Sequence, residues 1–158
     1  MHFEFKIEAG DFSNAGYASS QIKKILKQLN LPNSVVKKAV VALFESEVNV
    51  IGHSFGGTVA IDIENDQLHI LVSDTGPGIE DVNLAMSEGY STATKEIQEM
   101  GFGAGMGLPN IKKNTDYLDI RSQAGDHTEI EMLIHFNQKT DQKTDQDPEL
   151  RSAEDRQS

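Results

Sequence analysis

The chain has 158 residues, 37% of them hydrophobic and 25% charged, with a formal net charge of -11 at pH 7 and no cysteine. This length suits one well-cored domain, and the missing thiols exclude disulfides and cysteine chemistry. No segment approaches the roughly 18 consecutive apolar residues of a membrane helix. The net negative charge gives no evidence of an overall electrostatic attraction to nucleic acid or anionic lipid. We therefore expect a cytoplasmic protein that holds any phosphorylated ligand through backbone amides, a cation or a helix end.

The first third of the chain changes from a strand pattern to helix patterns. Residues 3–7 alternate apolar and polar side chains, which predicts an opening strand. A 3.6-residue period from Asn14 onwards predicts a first helix that ends before Pro32. Ser34 is then expected to cap a second helix, which runs from about Val35 to His53.

The rest of the folded part combines strand patterns with one long polar segment. Alternation over residues 59–63 and 68–72 predicts an antiparallel hairpin. The segment from Ile79 to Met100 is polar and weakly periodic, which favours a long functional loop or lid. A short helix from Pro109 to about Thr115 is predicted before two more strands, "YLDIRSQ" and "TEIEMLIHF".

The predicted domain spans residues 1–137. Residues 138–158 contain a short QKTD tandem, mixed charges and very few apolar side chains. Such a segment cannot bury enough surface to fold alone, which predicts a disordered polar tail. Docking of a partner by this tail is the alternative.

Glu45, Asn49 and His53 recur every fourth residue along the second helix, which places them on one stripe. Apolar neighbours put this stripe at the border of the core face. A partly sheltered carboxylate suits proton abstraction, and an amide oxygen one turn further can ligate a hard cation such as magnesium. The alternative is a polar flank that ends in a helix-capping histidine.

The stretch "LHILVSDTGPGI" ends a strand with an aspartate. Counting by twos from Leu68 reaches Asp74, so strand alternation directs this carboxylate towards the interior. A buried carboxylate needs a donor, and the exocyclic amine of a purine would serve. Gly76 and Gly78 would let the backbone approach a flat base. The alternative is an ordinary Asp-Thr-Gly-Pro-Gly turn.

The stretch "GFGAGMGL" places glycine at positions 101, 103, 105 and 107, just before a predicted helix. It is not a dinucleotide fingerprint, because Met106 stands where the last glycine would fall, and no Gly-Lys-Ser/Thr of a Walker A loop occurs. Successive backbone amides at a helix start can bind phosphate oxygens without net positive charge. The alternative is a flexible hinge.

The order of these motifs resembles the GHKL ATP-binding family, which includes gyrase, Hsp90, histidine kinases and MutL. The Glu45–Asn49 pair is similar to its N box, "DTGPG" to its G1 box and "GFGAGMGL" to its G2 box, and Thr128 matches a threonine near the adenine. The resemblance covers about Phe3 to Phe136. It implies a Bergerat fold, an α+β two-layer sandwich with a mixed, mostly antiparallel sheet and helices on one face.

Within this family, the length of the chain and the segment "FESEVNVIGHS" most resemble bacterial anti-sigma factor serine kinases. The resemblance implies ATP and one magnesium ion in a cleft between helix and lid. It makes Glu45 the general base, Asn49 the magnesium ligand and Asp74 the acceptor for the adenine amine, and it assigns no role to His53. The glycines that would shape the base pocket or hold the phosphates are Gly76, Gly78, Gly103, Gly105 and Gly107.

The resemblance implies an anti-sigma regulatory factor that binds a sigma factor and phosphorylates an anti-anti-sigma antagonist; a homodimer is among the assemblies it allows. Those kinases carry a basic residue before the G2 glycines. Here Gly103 takes its place, and Lys95 in the lid is the nearest substitute. The alternative function is an ATP-ordered module that engages a protein partner without phosphoryl transfer. A solitary histidine-kinase catalytic domain is a weaker third reading, since no dimerising histidine helix is present.

Overall fold

The computed structural model describes residues 1–79, 82–87 and 107–137. Five strands form one sheet in the order β1-β2-β3-β5-β4, and every neighbouring pair is antiparallel. The described elements are, in chain order, β1 (His2–Ile7), a 3-10 turn (Phe12–Asn14), α1 (Tyr17–Gln28), α2 (Asn33–His53), β2 (Gly57–Ile63), β3 (Gln67–Thr75), α3 (Val82–Ala85), α4 (Gly107–Lys113), β4 (Tyr117–Gln123) and β5 (His127–His135).

The helices cover one face of the sheet, and the core lies between these two layers. Helix α2 packs between α1 and α4 and contacts the sheet beneath it. A fully buried Ile or Leu contributes about 1.5–3 kcal/mol relative to an exposed one, so this apolar layer holds helices and sheet together. The architecture confirms the predicted α+β two-layer sandwich. Fully buried core side chains include Ile22, Leu26, Leu43, Ile61, Leu68, Ile70, Ile111, Met132 and Ile134.

The predicted strands are confirmed, including the hairpin formed by β2 and β3. In this hairpin Val59 lies opposite Val72 and Ile61 opposite Ile70, so the apolar positions of both strands share the inner face. The outer face carries polar and charged side chains. There the ring of His69 bonds the Glu131 carboxylate at 2.8 Å.

The start of α2 differs from the prediction that Ser34 caps it. The helix begins at Asn33, with Pro32 as the N-cap residue and no side-chain capping bond. The backbone N–H groups of Val35 and Val36 donate instead to the Pro32 carbonyl oxygen. The prediction that Ser34 caps α2 was therefore wrong. The fixed φ of proline prepares the chain for the helix two residues earlier than the pattern suggested.

Helix α4 also begins two residues early, at Gly107 rather than Pro109. Pro109 thus lies in the first turn, where its missing N–H removes no intrahelical bond. The earlier start brings Asn110 one turn beyond Gly107, on the same side of the helix.

Several predicted features lie outside the described residues. They include most of the lid, its Lys95, the glycines Gly103 and Gly105, and the tail from residue 138 onwards. Within the part of the chain that the structure describes, no helix combines the length and the apolar character needed to cross a membrane.

Candidate functional site

The stripe on α2 meets the end of the glycine-rich segment. Glu45 and Asn49 are half-buried on the side of α2 that packs against α4. A Cβ added to Gly107 would lie 3.1 Å from Asn49 Oδ1 and 3.5 Å from Glu45 Oε2. The structure therefore brings together the Glu45 carboxylate, the Asn49 amide and the last glycine of "GFGAGMGL". A side chain at position 107 would crowd both polar groups.

Asn110 is a fourth member of this group that the sequence analysis did not single out. Its side-chain Nδ2 donates to Glu45 Oε1 over 3.2 Å. The i, i+3 spacing from Gly107 is the signal that could have identified it, because residues three apart on a helix share a face. The predicted start at Pro109 concealed this relation.

Asp74 lies on the inner face of the sheet, as strand alternation predicts. It pairs with Gly57 on β2 and with Thr128 on β5. Since Gly57 has no side chain, none from β2 covers the carboxylate. Burial raises the pKa of Asp74, and the backbone hydrogen bond from Thr128 and the charge of His127 offset this only in part. A further hydrogen-bond donor at this carboxylate would stabilise its ionised form.

Thr128 lies next to Asp74 and is only 4% exposed. Its hydroxyl is 2.8 Å from Ser122 Oγ. The same Ser122 oxygen accepts the backbone N–H of Ile79 at 2.7 Å. These bonds join β5 and β4 to Ile79, which directly follows the "DTGPG" stretch. They therefore hold the backbone around Asp74 in place.

Gly76 and Gly78 are required by close backbone packing. A Cβ on Gly76 would lie 3.0 Å from Ser54 Cα, at the end of α2. Gly78 has a φ of +71°, and a Cβ there would lie 2.2 Å from the carbonyl oxygen of Gln123. Only glycine tolerates both conditions. The neighbour that the structure describes is protein backbone, and the approach of a flat base to these glycines stays a prediction.

His53 is the last residue of α2 and completes the stripe. It is half-buried, and this burial lowers the pKa of its imidazole. The neutral form is therefore favoured at the end of the helix.

The opposite side of α2 carries a buried carboxylate that the sequence analysis missed. Glu47 is 2% exposed, and its Oε1 accepts the Ala18 backbone N–H at the start of α1 over 2.6 Å. Within the described part of the chain, its Oε2 has no hydrogen-bond partner. Burial raises the pKa of Glu47, although hydrogen bonds at the start of α1 lower it. The signal was its position four residues after Leu43 and three before Val50, which are both buried.

Two of the cavities lined by described residues lie away from the motifs. One of about 480 Å³ lies between α3, α4 and β4, and one of about 380 Å³ lies between β1, α1 and Glu47. Among the residues described, no cluster of three or more acidic, histidine or cysteine side chains could hold a metal ion.

A family model described as histidine kinase-, DNA gyrase B-, and HSP90-like ATPase matches residues 35–138. This range contains the α2 stripe, the Asp74 strand and α4. The chain belongs to this family. Membership in this family of ATPases implies that the chain binds ATP. The structure fits this, since Gly107 lies against Asn49 and Glu45, and burial raises the pKa of the half-buried Asp74 carboxylate.

Relatives within this ATPase family carry regulatory names. Serine/threonine-protein kinase RsbT of Bacillus subtilis is 29% identical over 115 residues, which cover 70% of this chain and 80% of RsbT. An anti-sigma F factor of Pasteuria penetrans is 30% identical over 121 residues, covering 72% of this chain and 73% of its own.

A solved structure shares the fold. A chain of the SiaB-SiaC complex from Pseudomonas aeruginosa matches with a TM-score of 0.51 and 16% sequence identity, covering 84% of this chain and 88% of that one. At this identity the match shows the fold alone.

Proposed function

We propose that this protein is an ATP-binding anti-sigma regulatory factor with serine/threonine kinase activity toward an anti-anti-sigma antagonist. The observation that carries the proposal is the proximity of Gly107 to Asn49 and Glu45, because it brings the glycine-rich segment next to an amide and a carboxylate that would serve as metal ligand and base. The similarity to RsbT and to anti-sigma F factors supports the regulatory role.

The adenine end of the proposed site is built around Asp74. Its carboxylate would accept the exocyclic amine, which supplies a donor in addition to the Thr128 backbone N–H and so stabilises the half-buried anion. Thr128 stands beside it, and Gly76 and Gly78 shape the pocket. The hydroxyl of Thr128 is already bonded to Ser122, so this pair orients the floor of the pocket as one unit.

The phosphate end of the proposed site lies where α4 begins. Gly103, Gly105 and Gly107 would present backbone amides to the phosphate oxygens, and Asn49 would ligate magnesium. When bound, magnesium supplies positive charge that neutralises the phosphates in a protein of net charge -11. Lys95 is the proposed cation of the lid.

Glu45 would act as the general base. Its Oε2 lies beside Gly107 and receives no hydrogen bond from the residues that the structure describes, so this oxygen would take the proton of a serine or threonine hydroxyl. Desolvation of the site on closure would strengthen every charge interaction within it.

The second candidate is an ATP-binding regulatory module that engages a protein partner without phosphoryl transfer. The observation that favours it is Gly103, which stands where the resembling kinases carry a basic residue. Both candidates need the same nucleotide site, and they differ only in whether the bound ATP gives up its terminal phosphoryl group.

The proposal also covers the domain boundaries, the location and the partners of the protein. We place the ATP-binding domain at residues 1–137 and a polar tail at 138–158, in the cytoplasm. The proposed partners are a sigma factor and its antagonist, with a homodimer as the assembly to be examined by sedimentation.

The test combines transfer with binding. Radiolabelled ATP and a purified antagonist should give a labelled antagonist with wild-type protein and almost none with Glu45→Gln, while calorimetry shows that both bind a non-hydrolysable ATP analogue with magnesium. Binding without any labelled product would favour the second candidate. Transfer that persists undiminished in Glu45→Gln would remove Glu45 from the base role.

A further inference from the structure

Asn110 contacts the proposed base from the neighbouring helix. It is half-buried on α4, and its Nδ2 lies 3.2 Å from Glu45 Oε1. Both residues belong to helices that pack against each other, so the contact joins two rigid elements. A hydrogen bond from such a position constrains the carboxylate more than one from a mobile loop would.

The two carboxylate oxygens of Glu45 have different surroundings. Oε1 accepts the Asn110 amide, whereas Oε2 is 3.5 Å from the point where a Cβ on Gly107 would stand. The last torsion of a glutamate is broad and roughly twofold, so an unrestrained carboxylate would exchange these oxygens and sample many orientations. The Asn110 amide removes that freedom.

We infer that Asn110 is a positioning residue, which fixes the Glu45 carboxylate so that Oε2 is the oxygen presented toward the start of α4. The use made of that oxygen rests on the proposed function, while the fixed orientation itself does not. A neutral donor suits this task, because a lysine or arginine in its place would stabilise the anion strongly and weaken it as a base.

The residue that directly follows α4 offers a matched control. Asn114 lies one turn beyond Asn110, is also half-buried, and donates from its side chain to the Asn110 backbone carbonyl over 2.8 Å. Replacement of Asn114 therefore removes an asparagine hydrogen bond from α4 without touching Glu45. Any general weakening of the helix should appear equally in both variants.

The first experiment monitors side-chain resonances and needs no enzyme activity. In ¹⁵N spectra, Glu45→Ala should shift the side-chain amide pair of Asn110, while that of the distant Asn14, bonded to Asp11, stays in place. In protein labelled at the glutamate carboxyl carbon, Asn110→Ala should shift the Glu45 signal several-fold more than Asn114→Ala does. Equal shifts in the two alanine variants, or an unmoved Asn110 amide, would overturn the inference.

The second experiment is a double-mutant cycle on phosphoryl transfer. Asn110→Ala should lower kcat roughly tenfold with the KM for ATP within about twofold, and Asn110→Asp should lower it further, because it sets a like charge against Glu45. In a Glu45→Gln background, Asn110→Ala should cost nothing more. Full additivity in the cycle would contradict positioning through Glu45. Absence of transfer in wild-type protein would count against the kinase proposal alone, and the resonances would still decide the orientation.

Discussion

Two glutamates two residues apart on α2 face opposite sides of the helix and differ in burial and in partners. Glu45 is half-buried, contacts α4 through Asn110 and keeps one oxygen beside Gly107. Glu47 is almost fully buried and receives the Ala18 amide at the start of α1. Residues two apart on a helix differ by about 200° in direction, so one flank of α2 serves the proposed site and the other anchors the fold.

This difference teaches that a carboxylate's role depends on what faces it. A helix N-terminus presents free N–H groups and a positive dipole end, which suit a buried anion such as Glu47. Among the described residues, the side facing α4 places Gly107 and the neutral amides of Asn49 and Asn110 near Glu45, which under the proposed function would leave its carboxylate available as a base. Substitutions on the two flanks should therefore have separable effects, of which the largest concerns catalysis.

The sharpest contrast should appear in phosphoryl transfer. Glu45→Gln should reduce transfer to the antagonist by roughly 10²–10⁴-fold, the usual contribution of a general base. Glu47→Gln should keep transfer within about threefold of wild type, because its side chain faces α1. Single-turnover assays with labelled ATP measure both variants. Similar losses in the two would show that the flanks of α2 do not divide as described.

At the adenine end of the proposed site, on β3, Asp74→Asn should weaken binding of an ATP analogue about 10–100-fold. Hydrogen bonds to charged groups contribute about 1.5–3 kcal/mol. The matched control is Asp62→Asn on the outer face of the sheet, where the aspartate bonds His2. Calorimetry should find the control close to wild type. Unchanged affinity in Asp74→Asn would remove this residue from the site.

On the anchoring flank, Glu47→Ala should lower the free energy of unfolding by about 2 kcal/mol, because it removes the buried acceptor of the Ala18 backbone N–H at a helix start. Urea unfolding at neutral pH measures the change. Lys23→Ala on the exposed side of α1 is the control and should lie within about 0.5 kcal/mol of wild type. A Glu47→Ala variant as stable as the control would contradict the anchoring role.

The smallest effect concerns pH. The pKa of Glu47 is raised in the folded state from its ordinary value of 4.5, so its contribution to stability is fully present below that value and is lost as pH rises through the folded pKa. Glu47→Gln lacks this titration. The free energy of unfolding of wild type should therefore fall relative to Glu47→Gln between about pH 4.5 and neutrality. Parallel pH profiles for the two proteins would contradict the raised pKa.

Much of this arrangement can be predicted from local patterns. Helical spacing places Glu45 and Asn49 on one stripe, and strand alternation directs Asp74 inward beside Thr128. These relations depend only on the periods of helix and strand, which the sequence carries directly. The family match confirms the resemblance that the three motifs suggest.

The features that were missed depend on boundaries or on distant contacts. Asn110 joins the site only because α4 begins at Gly107, and Ser34 loses its capping role because α2 begins at Asn33. Glu47 finds its partner 29 positions away along the chain, at Ala18. The start of α2 follows from the backbone of Pro32, and tertiary partners are set by packing; neither is encoded in a local period.

The central claim is that separate segments form one nucleotide site, and a nuclear magnetic resonance titration tests it most directly. On addition of magnesium and a non-hydrolysable ATP analogue, we predict that the backbone amides of Asp74, Gly76, Asn49 and Gly107 shift together, with one common dissociation constant. Shifts confined to one of these segments, or centred on the cavity beside Lys112 and Tyr117, would contradict it.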